Sequence, residues 1–349
     1  MSRIYANPFS WGEPVSGTHY VSRSKEEQHI EVAMDKQLHL IVTGAKGSGK
    51  TSLINQVLGK SSVASYFLDL TFVVSRQDLI KLLVHGIHQS FPKSKNEGQT
   101  ATFLDPMYDG SLVPIINLWY DLVKSSSQKF TLVWDSCHYL MKMKDDLLGE
   151  MRETMRDRRQ ITHIFISHRE DILNSIFDDH LNPFFFHREM LFVKNISPAD
   201  FEKHLTKRFR GMGLTDFDLA KSLLVFSEGQ PQLTQRLAHA LAQLWLEGTT
   251  TRLLDRTIDK LVKELYTHYS SAWDEFGLNE RRLLVGLTEG YSHPTELEFI
   301  RKFQLSATST AHNTVLKLLK EGWIINRNDG YHIVDPLFLR WLKHHREKI

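Results

Sequence analysis

The sequence predicts an α/β chain: a parallel-sheet nucleotide domain built on a phosphate loop, then an α-helical lid, then a C-terminal winged helix. Three observations carry that expectation. "HLIVTGAKGSGKTSL" (39–53) sets a glycine-rich loop between a short strand and a helix. Further apolar, β-branched runs follow at "SYFLDL" (65–70), "KFTLVWD" (129–135), "THIFIS" (162–167) and "REMLFVKNI" (188–196), separated by helical stretches. Strands alternating with helices argue for a parallel sheet covered on both faces. After Ile196 the strand signal stops and returns only as a hairpin around Asn328, Asp329 and Gly330. The expected domains are 1–196, 197–269 and 270–349.

A chain of 349 residues has room for two or three domains and a large core. Hydrophobic content of 41% and charged content of 24% are those of a soluble globular protein. A formal charge of +2 does not by itself point to nucleic acid or membrane, so any basic surface has to be local. The only cysteine, Cys137, excludes an intrachain disulfide and a thiolate zinc cluster, and fits a reducing, cytoplasmic setting. No apolar run approaches the roughly 18 residues of a membrane span, and "MSRIYANPFSW" does not read as a signal peptide. Histidines number 18, yet no HExxH or CxxC spacing occurs, and His85 with His88 has no nearby acid to complete a ligand set.

Gly44, Gly49, Lys50 and Thr51 satisfy G-x-x-x-x-G-K-[ST]. The glycines let the backbone of Gly44, Ala45, Lys46, Gly47, Ser48 and Gly49 turn tightly, so that successive N–H groups face phosphates. Lys50 then neutralises the β and γ phosphates of ATP, and the Thr51 hydroxyl ligates Mg²⁺. "KTSLINQVLG" is helical, with Leu53, Val57 and Leu58 on one side. Its N-terminus, from Lys50 through Ser52, adds the helix dipole to the anion site. Phe130 to Trp134 form an apolar strand closed by Asp135, a second holder of Mg²⁺. Ser167 and His168 end the strand "THIFIS" at the edge of the sheet where ligands bind; they are candidate γ-phosphate sensors or an ordinary strand exit.

Downstream, "SPADFEKHLTKRF" opens with Ser197 as a helix cap and Pro198 at the first helical position. "DFDLAKSLLVFSEG" and "QLTQRLAHALAQLWLEG" are amphipathic helices stopped by glycine, which makes this region a lid. "HPTELEFIRKFQLS" and "TAHNTVLKLLKEG" form a helix–turn–helix, "WIINRNDGYHIVDP" a hairpin and "PLFLRWLKHHREKI" a closing helix. Together they predict a winged helix. If it enters a major groove, Thr308, Ser309, His312, Asn313 and Lys317 face double-stranded DNA and Arg327 lies at the wing tip. Arg340, Lys343, Arg346 and Lys348 add a basic tail for phosphates. Protein docking is the competing use of such a module.

In this order of motifs the chain resembles the archaeal-type and STAND branch of AAA+ ATPases, of the ASCE P-loop class, close to the origin-recognition-like initiator ATPases. The resemblance rests on "NPFSWGEPVSGTHYVSRSKEEQHI", the phosphate loop, "LVWDSCHYL", "FISHRED", "GQPQLTQRL" and the closing "DPLFLRWL". It implies that the opening segment lies along adenine, with Asn7, Pro8 and Phe9 matching and Ser22 in place of the usual glycine. Val21 to Arg23 are then candidates for base contact. It also implies that Pro231 of "GQP" packs on base or ribose, and that Arg236 reaches toward the γ-phosphate unless it is a surface arginine. An arginine among Arg152, Arg156, Arg158 and Arg159, with Arg156 the first candidate, would act on a neighbouring subunit's nucleotide in a homo-oligomer. The same cations complement a helix dipole.

One position departs from the pattern. The acid that normally follows the strand-end aspartate and activates water is Ser136 here. Such help contributes ~10²–10⁴-fold, so the expected activity is slow ATP hydrolysis or none. Asp69, Glu150 and Glu153 are possible replacements, with Asp69 favoured because it closes a neighbouring strand.

Overall fold

The computed structural model describes residues 6–92, 97–105, 108–143, 147–155, 158–169, 173, 188–216 and 218–346. The chain divides into two compact units, one of residues 10–204 with 229–235, the other of residues 1–9, 205–228 and 236–349.

In the first unit α1 (Ser24–Asp35) leads into β1 (His39–Thr43), α2 (Lys50–Lys60) and β2 (Ala64–Asp69). Then come α3 (Arg76–Ser90), α4 (Glu97–Leu104), α5 (Val113–Ser126), β3 (Phe130–Asp135), α6 (Leu147–Met155), β4 (Ile161–Ile166) and β5 (Arg188–Phe192). The strands make one parallel sheet in the order β2-β3-β4-β1-β5. Strand alternation sorts side chains to two cores. Leu40, Val42, Val133, Ile164 and Ile166 pack with Ile30 and Met34 of α1 and Leu53 and Val57 of α2. Ile41, Leu132, Trp134 and Phe165 pack on the other face with α3, α5 and α6. All six residues of β4 are buried, as a central parallel strand requires.

The second core closes around Trp119, whose ring lies 5.4 Å from Phe130 and 5.8 Å from Phe91. Gly86 of α3 permits this approach: a β-carbon there would stand 2.6 Å from Tyr66 and 2.8 Å from Trp119. Ser75 starts α3 with a capping box, its hydroxyl accepting from the Asp78 N–H while the Asp78 carboxylate accepts from the Ser75 N–H.

His163 of β4 is fully enclosed. The Trp134 indole N–H donates to its Nδ1 at 3.0 Å, so Nε2 carries the proton and faces Tyr120 Oη at 3.0 Å. Burial, with His39 adding to it, holds the imidazole well below its ordinary pKa. The folded chain keeps His163 neutral where the unfolded chain takes up a proton, so stability falls as pH drops below 6.5, by up to ~1.4 kcal/mol per unit. Urea melts at pH 7 and pH 5.5 should show a steeper loss for the wild type than for His163→Asn. Equal losses would show that His163 does not contribute.

In the second unit Asn7 Nδ2 donates to His239 O at 2.9 Å, and the Phe9 and Phe209 rings meet at 4.9 Å. The "NPF" segment thereby fastens helices Pro198–Gly211 and Pro231–Leu246. Further on, helices Leu278–Thr288, Leu297–Lys302 and Thr308–Glu321 are followed by an antiparallel hairpin of β6 (Ile324–Arg327) and β7 (Gly330–Ile333). Helix Pro336–Arg346 closes this part, its Phe338 fully buried between Trp323 at 5.1 Å and Tyr269 at 5.3 Å. Gly330 has φ +116°, and a β-carbon there would meet Ser292 O at 2.5 Å, so the turn demands glycine. This is the winged helix that the sequence predicts. Among the described residues no helix is long and apolar enough to cross a membrane.

Candidate functional site

Residues 44–49 join β1 to α2 with Gly44, Gly47 and Gly49 at φ +141°, +77° and +87°. A β-carbon on Gly44 would lie 2.3 Å from Val193 O, and one on Gly47 would lie 2.7 Å from Gln230 Nε2. Around the loop each carbonyl has a donor. Lys50 Nζ reaches Gly44 O at 2.8 Å and Ala45 O at 2.9 Å. Gln230 Nε2 reaches Lys46 O at 3.3 Å, and the Gln232 N–H donates to Gly47 O at 3.2 Å. The Arg23 guanidinium donates to Ser48 O at 2.6 Å, and the Leu53 N–H to Gly49 O at 2.9 Å.

Lys50 is buried, and burial pushes its ammonium down to about 8 against the opposing pull of Asp135. Ser48 is completely enclosed, and its hydroxyl has no hydrogen-bond partner among the described residues. An enclosed hydroxyl without a partner and a buried ammonium bonded only to carbonyls suit an anion in the loop.

The three strands β1, β4 and β3 bring the other candidates to one edge. Thr51 Oγ1 donates to Asp135 Oδ2 at 2.8 Å, and the Ser136 N–H donates to Oδ1 at 2.7 Å. Burial, helped by the nearby Asp69 carboxylate, raises Asp135 above the usual carboxylate value. Asp69 is level with Asp135 in the β2–β3 register, is exposed, and accepts from the Thr71 N–H at 2.9 Å. Ser136 takes a left-handed conformation, φ +59°, with its hydroxyl 3.4 Å from Thr71 Oγ1.

Because β4 lies between β1 and β3, Ser167 and His168 emerge between the phosphate loop and Asp135. Ser167 Oγ accepts from the Arg169 N–H at 3.0 Å and is 3.1 Å from His138 Nδ1. The His138 and His168 rings meet edge to face at 4.7 Å. Burial pushes His168 down to about 4, with His138, Lys50 and Lys46 adding to it, so the imidazole is neutral at pH 7. His138 escaped the sequence reading; its signal was its place three residues after Asp135.

The opening segment runs along α2: the Val15 N–H donates to Ser52 Oγ at 3.0 Å and the Gly17 N–H to Gln56 Oε1 at 2.8 Å. A pocket of about 270 Å³ opens between this segment and the loop, lined by Trp11, Val21, Arg23, Lys50, Thr51 and Pro231 among others. Arg23 touches it while committed to two carbonyls, Ser48 O and Lys194 O, the latter at 2.7 Å. Its guanidinium therefore fixes the loop.

Other candidates lie elsewhere. Glu150 is held by Arg76 and accepts from the Leu112 N–H at 2.6 Å, which ties α6 to the start of α5. Arg158 donates to Asn117 Oδ1 at 2.6 Å and covers the Tyr120 ring at 5.0 Å. Arg236 lies 3.9 Å from Glu264. Arg156, the Arg152 side chain and Lys348 fall outside the described residues. His85 contacts Gln89 and His88 contacts Thr100, and no metal-holding group of three occurs among the described residues.

On the winged helix Thr308, Ser309, His312 and Asn313 are exposed along one helix. Lys317 pairs with Glu280 at 2.6 Å, Arg327 with Glu228, Arg340 with Asp259 at 3.5 Å and Arg346 with Glu289 at 3.1 Å. Lys343 is exposed.

Residues 267–344 match a family described as a probable winged helix domain. No curated protein matches the chain by sequence. Among solved structures, a Walker-type ATPase of Pyrococcus abyssi superposes with a TM-score of 0.72 at 17% identity, over 97% of this chain and 99% of that one. The ORC2 protein of Aeropyrum pernix, in ADPNP–ADP complexes, gives 0.64 at 10% identity over 99% and 98%. The ORC1 protein of the same organism, in complex with DNA, gives 0.54 at 11% over 94% and 93%. The likeness is one of fold: a P-loop ATPase sheet with a C-terminal winged helix.

Proposed function

We propose that this chain binds ATP with Mg²⁺, hydrolyses it slowly, and uses its nucleotide state to govern what the winged helix engages, either duplex DNA or another subunit. The observation that carries the reading is one sheet edge holding Lys50, the Thr51–Asp135 pair and the neutral His168 together. Lys50 would leave its two carbonyls for the β and γ phosphates, and the loop N–H groups and Ser48 hydroxyl would complete the cradle. Thr51 and Asp135 are the holders for Mg²⁺, which supplies charge neutralisation across those phosphates. Ser167 and His168 face the terminal phosphate as hydrogen-bonding groups, with His138 fixing Ser167. The donor set is hard oxygen, as Mg²⁺ prefers.

The superposable ORC2 protein was solved with ADPNP and ADP and the ORC1 protein with DNA, which supports both halves of the proposal. A second reading has its own support: Ser136 supplies no general base, and Lys317, Arg327 and Arg346 already hold carboxylate partners. On that reading the chain is a nucleotide switch that hardly hydrolyses, and the winged helix docks a protein.

Steady-state ATP turnover with and without duplex DNA separates the two. Stimulation by DNA joins both ends of the chain in one cycle; ATP binding without turnover makes it a switch. Replacing Arg327, Lys343 and Arg346 by glutamate should weaken duplex binding and flatten its salt dependence, by ~0.9 in log–log slope for each lost phosphate contact. Wild-type binding by that triple variant would remove the groove model.

A further inference from the structure

Gln235 follows Pro231 by one helical turn in Pro231–Leu246, and its side chain lines the pocket with Val21, Phe201 and Pro231. The residue is only 9% exposed, and its amide makes no hydrogen bond to any described residue. Its neighbours on the same turn are satisfied: Thr234 Oγ1 donates to Gln230 O at 2.8 Å, and Gln230 Oε1 accepts from the Leu233 N–H at 2.9 Å. The amide opens into the pocket and meets solvent in the free chain; a ligand that fills the pocket strips that solvent away, and leaving the amide without a partner then costs ~1–3 kcal/mol, so the ligand is expected to supply one.

The same pocket is also lined by Gly49, Lys50 and Thr51. A ligand with its phosphates at the loop presents its base to the walls formed by Val21 and Pro231, where Gln235 waits. A primary amide offers a donor and an acceptor side by side. Adenine shows the matching pair, the 6-amino donor beside a ring-nitrogen acceptor, whereas guanine presents two acceptors, O6 and N7, on its outer edge.

We propose that Gln235 reads the nucleobase: its carbonyl accepts from the 6-amino group of adenine while its NH₂ donates to the adjacent ring nitrogen. The inference rests on the nucleotide reading above and adds to it the residue that selects the base.

The test is calorimetric binding of ATP, GTP and purine riboside triphosphate, which lacks the 6-amino group, to the full chain and to Gln235→Met. Wild type should prefer ATP over the analogue without the amino group by ~5–20-fold, the worth of one hydrogen bond and of the amide carbonyl left unpaired, and should bind GTP more weakly. Gln235→Met should lose that factor for ATP and cease to distinguish ATP from the analogue. Its melting temperature without nucleotide should equal or exceed wild type, because the substitution removes only a partnerless amide. A Gln235→Met protein that keeps the wild-type preference overturns the role of Gln235, as does one that melts markedly lower. Failure of the wild type to bind any triphosphate would instead remove the nucleotide reading itself.

Discussion

Lys50→Ala should abolish ATP binding at ordinary concentrations. The side chain is 8% exposed and, among the described residues, bonded only to Gly44 O and Ala45 O, so its charge is held ready and is not committed to a carboxylate. Removing one partner of a buried charge pair costs ~2–5 kcal/mol, or roughly 30- to 5,000-fold in affinity. Fold loss is a poor explanation for such a result. Burial lowers the Lys50 ammonium to about 8, so it stays mostly charged at pH 7 but at a cost to the nucleotide-free chain, and the alanine variant should melt close to wild type. Calorimetry that finds unchanged affinity would sink the phosphate-site assignment.

Ser136→Glu should raise turnover by about 10²-fold if the missing base is what limits the rate. Position 136 directly follows Asp135, whose Oδ1 already accepts from the Ser136 N–H at 2.7 Å. The left-handed backbone there is strained for any residue with a β-carbon, so glutamate adds no backbone cost that serine does not already carry. Ser136→Gln has the same length without the charge and should leave the rate where it is. Equal rates in all three proteins would send the search to Asp69, across the β2–β3 pair from Asp135, and Asp69→Asn would then be the variant that slows the reaction.

The strands were legible because each is a β-branched or aromatic run bounded by polar residues, and β3 ends on the expected Asp135. The hairpin was legible from Gly330, whose φ of +116° demands that residue. Sheet order was not: that β4 lies between β1 and β3 is a long-range pairing with no local signal, and it is this order that puts His168 near Lys50. Side-chain commitments across the sequence were equally hidden. Arg23 is a candidate for base contact in the sequence and lines the pocket, but no local signal tells that its guanidinium also holds Ser48 O and Lys194 O. Arg327 lies at the wing tip as the sequence places it, and its pairing with Glu228, 99 positions away, has no local signal. Gln235 reads in the sequence as one more polar residue of an amphipathic helix, and only the fold buries it.

Every carbonyl from Gly44 to Gly49 accepts a hydrogen bond from a group outside the incoming ligand. The loop is thus ordered before any nucleotide arrives, and the ~1–2 kcal/mol of backbone entropy per residue needed to shape it is lost during folding. Binding escapes that cost. Association should be quick and free of a slow rearrangement, and the heat released should come from phosphate contacts and not from loop ordering. The same economy has a converse: a nucleotide that draws Lys50 away releases Gly44 O and Ala45 O, so the occupied loop has two carbonyl contacts fewer than the free one and must be held by the phosphates themselves.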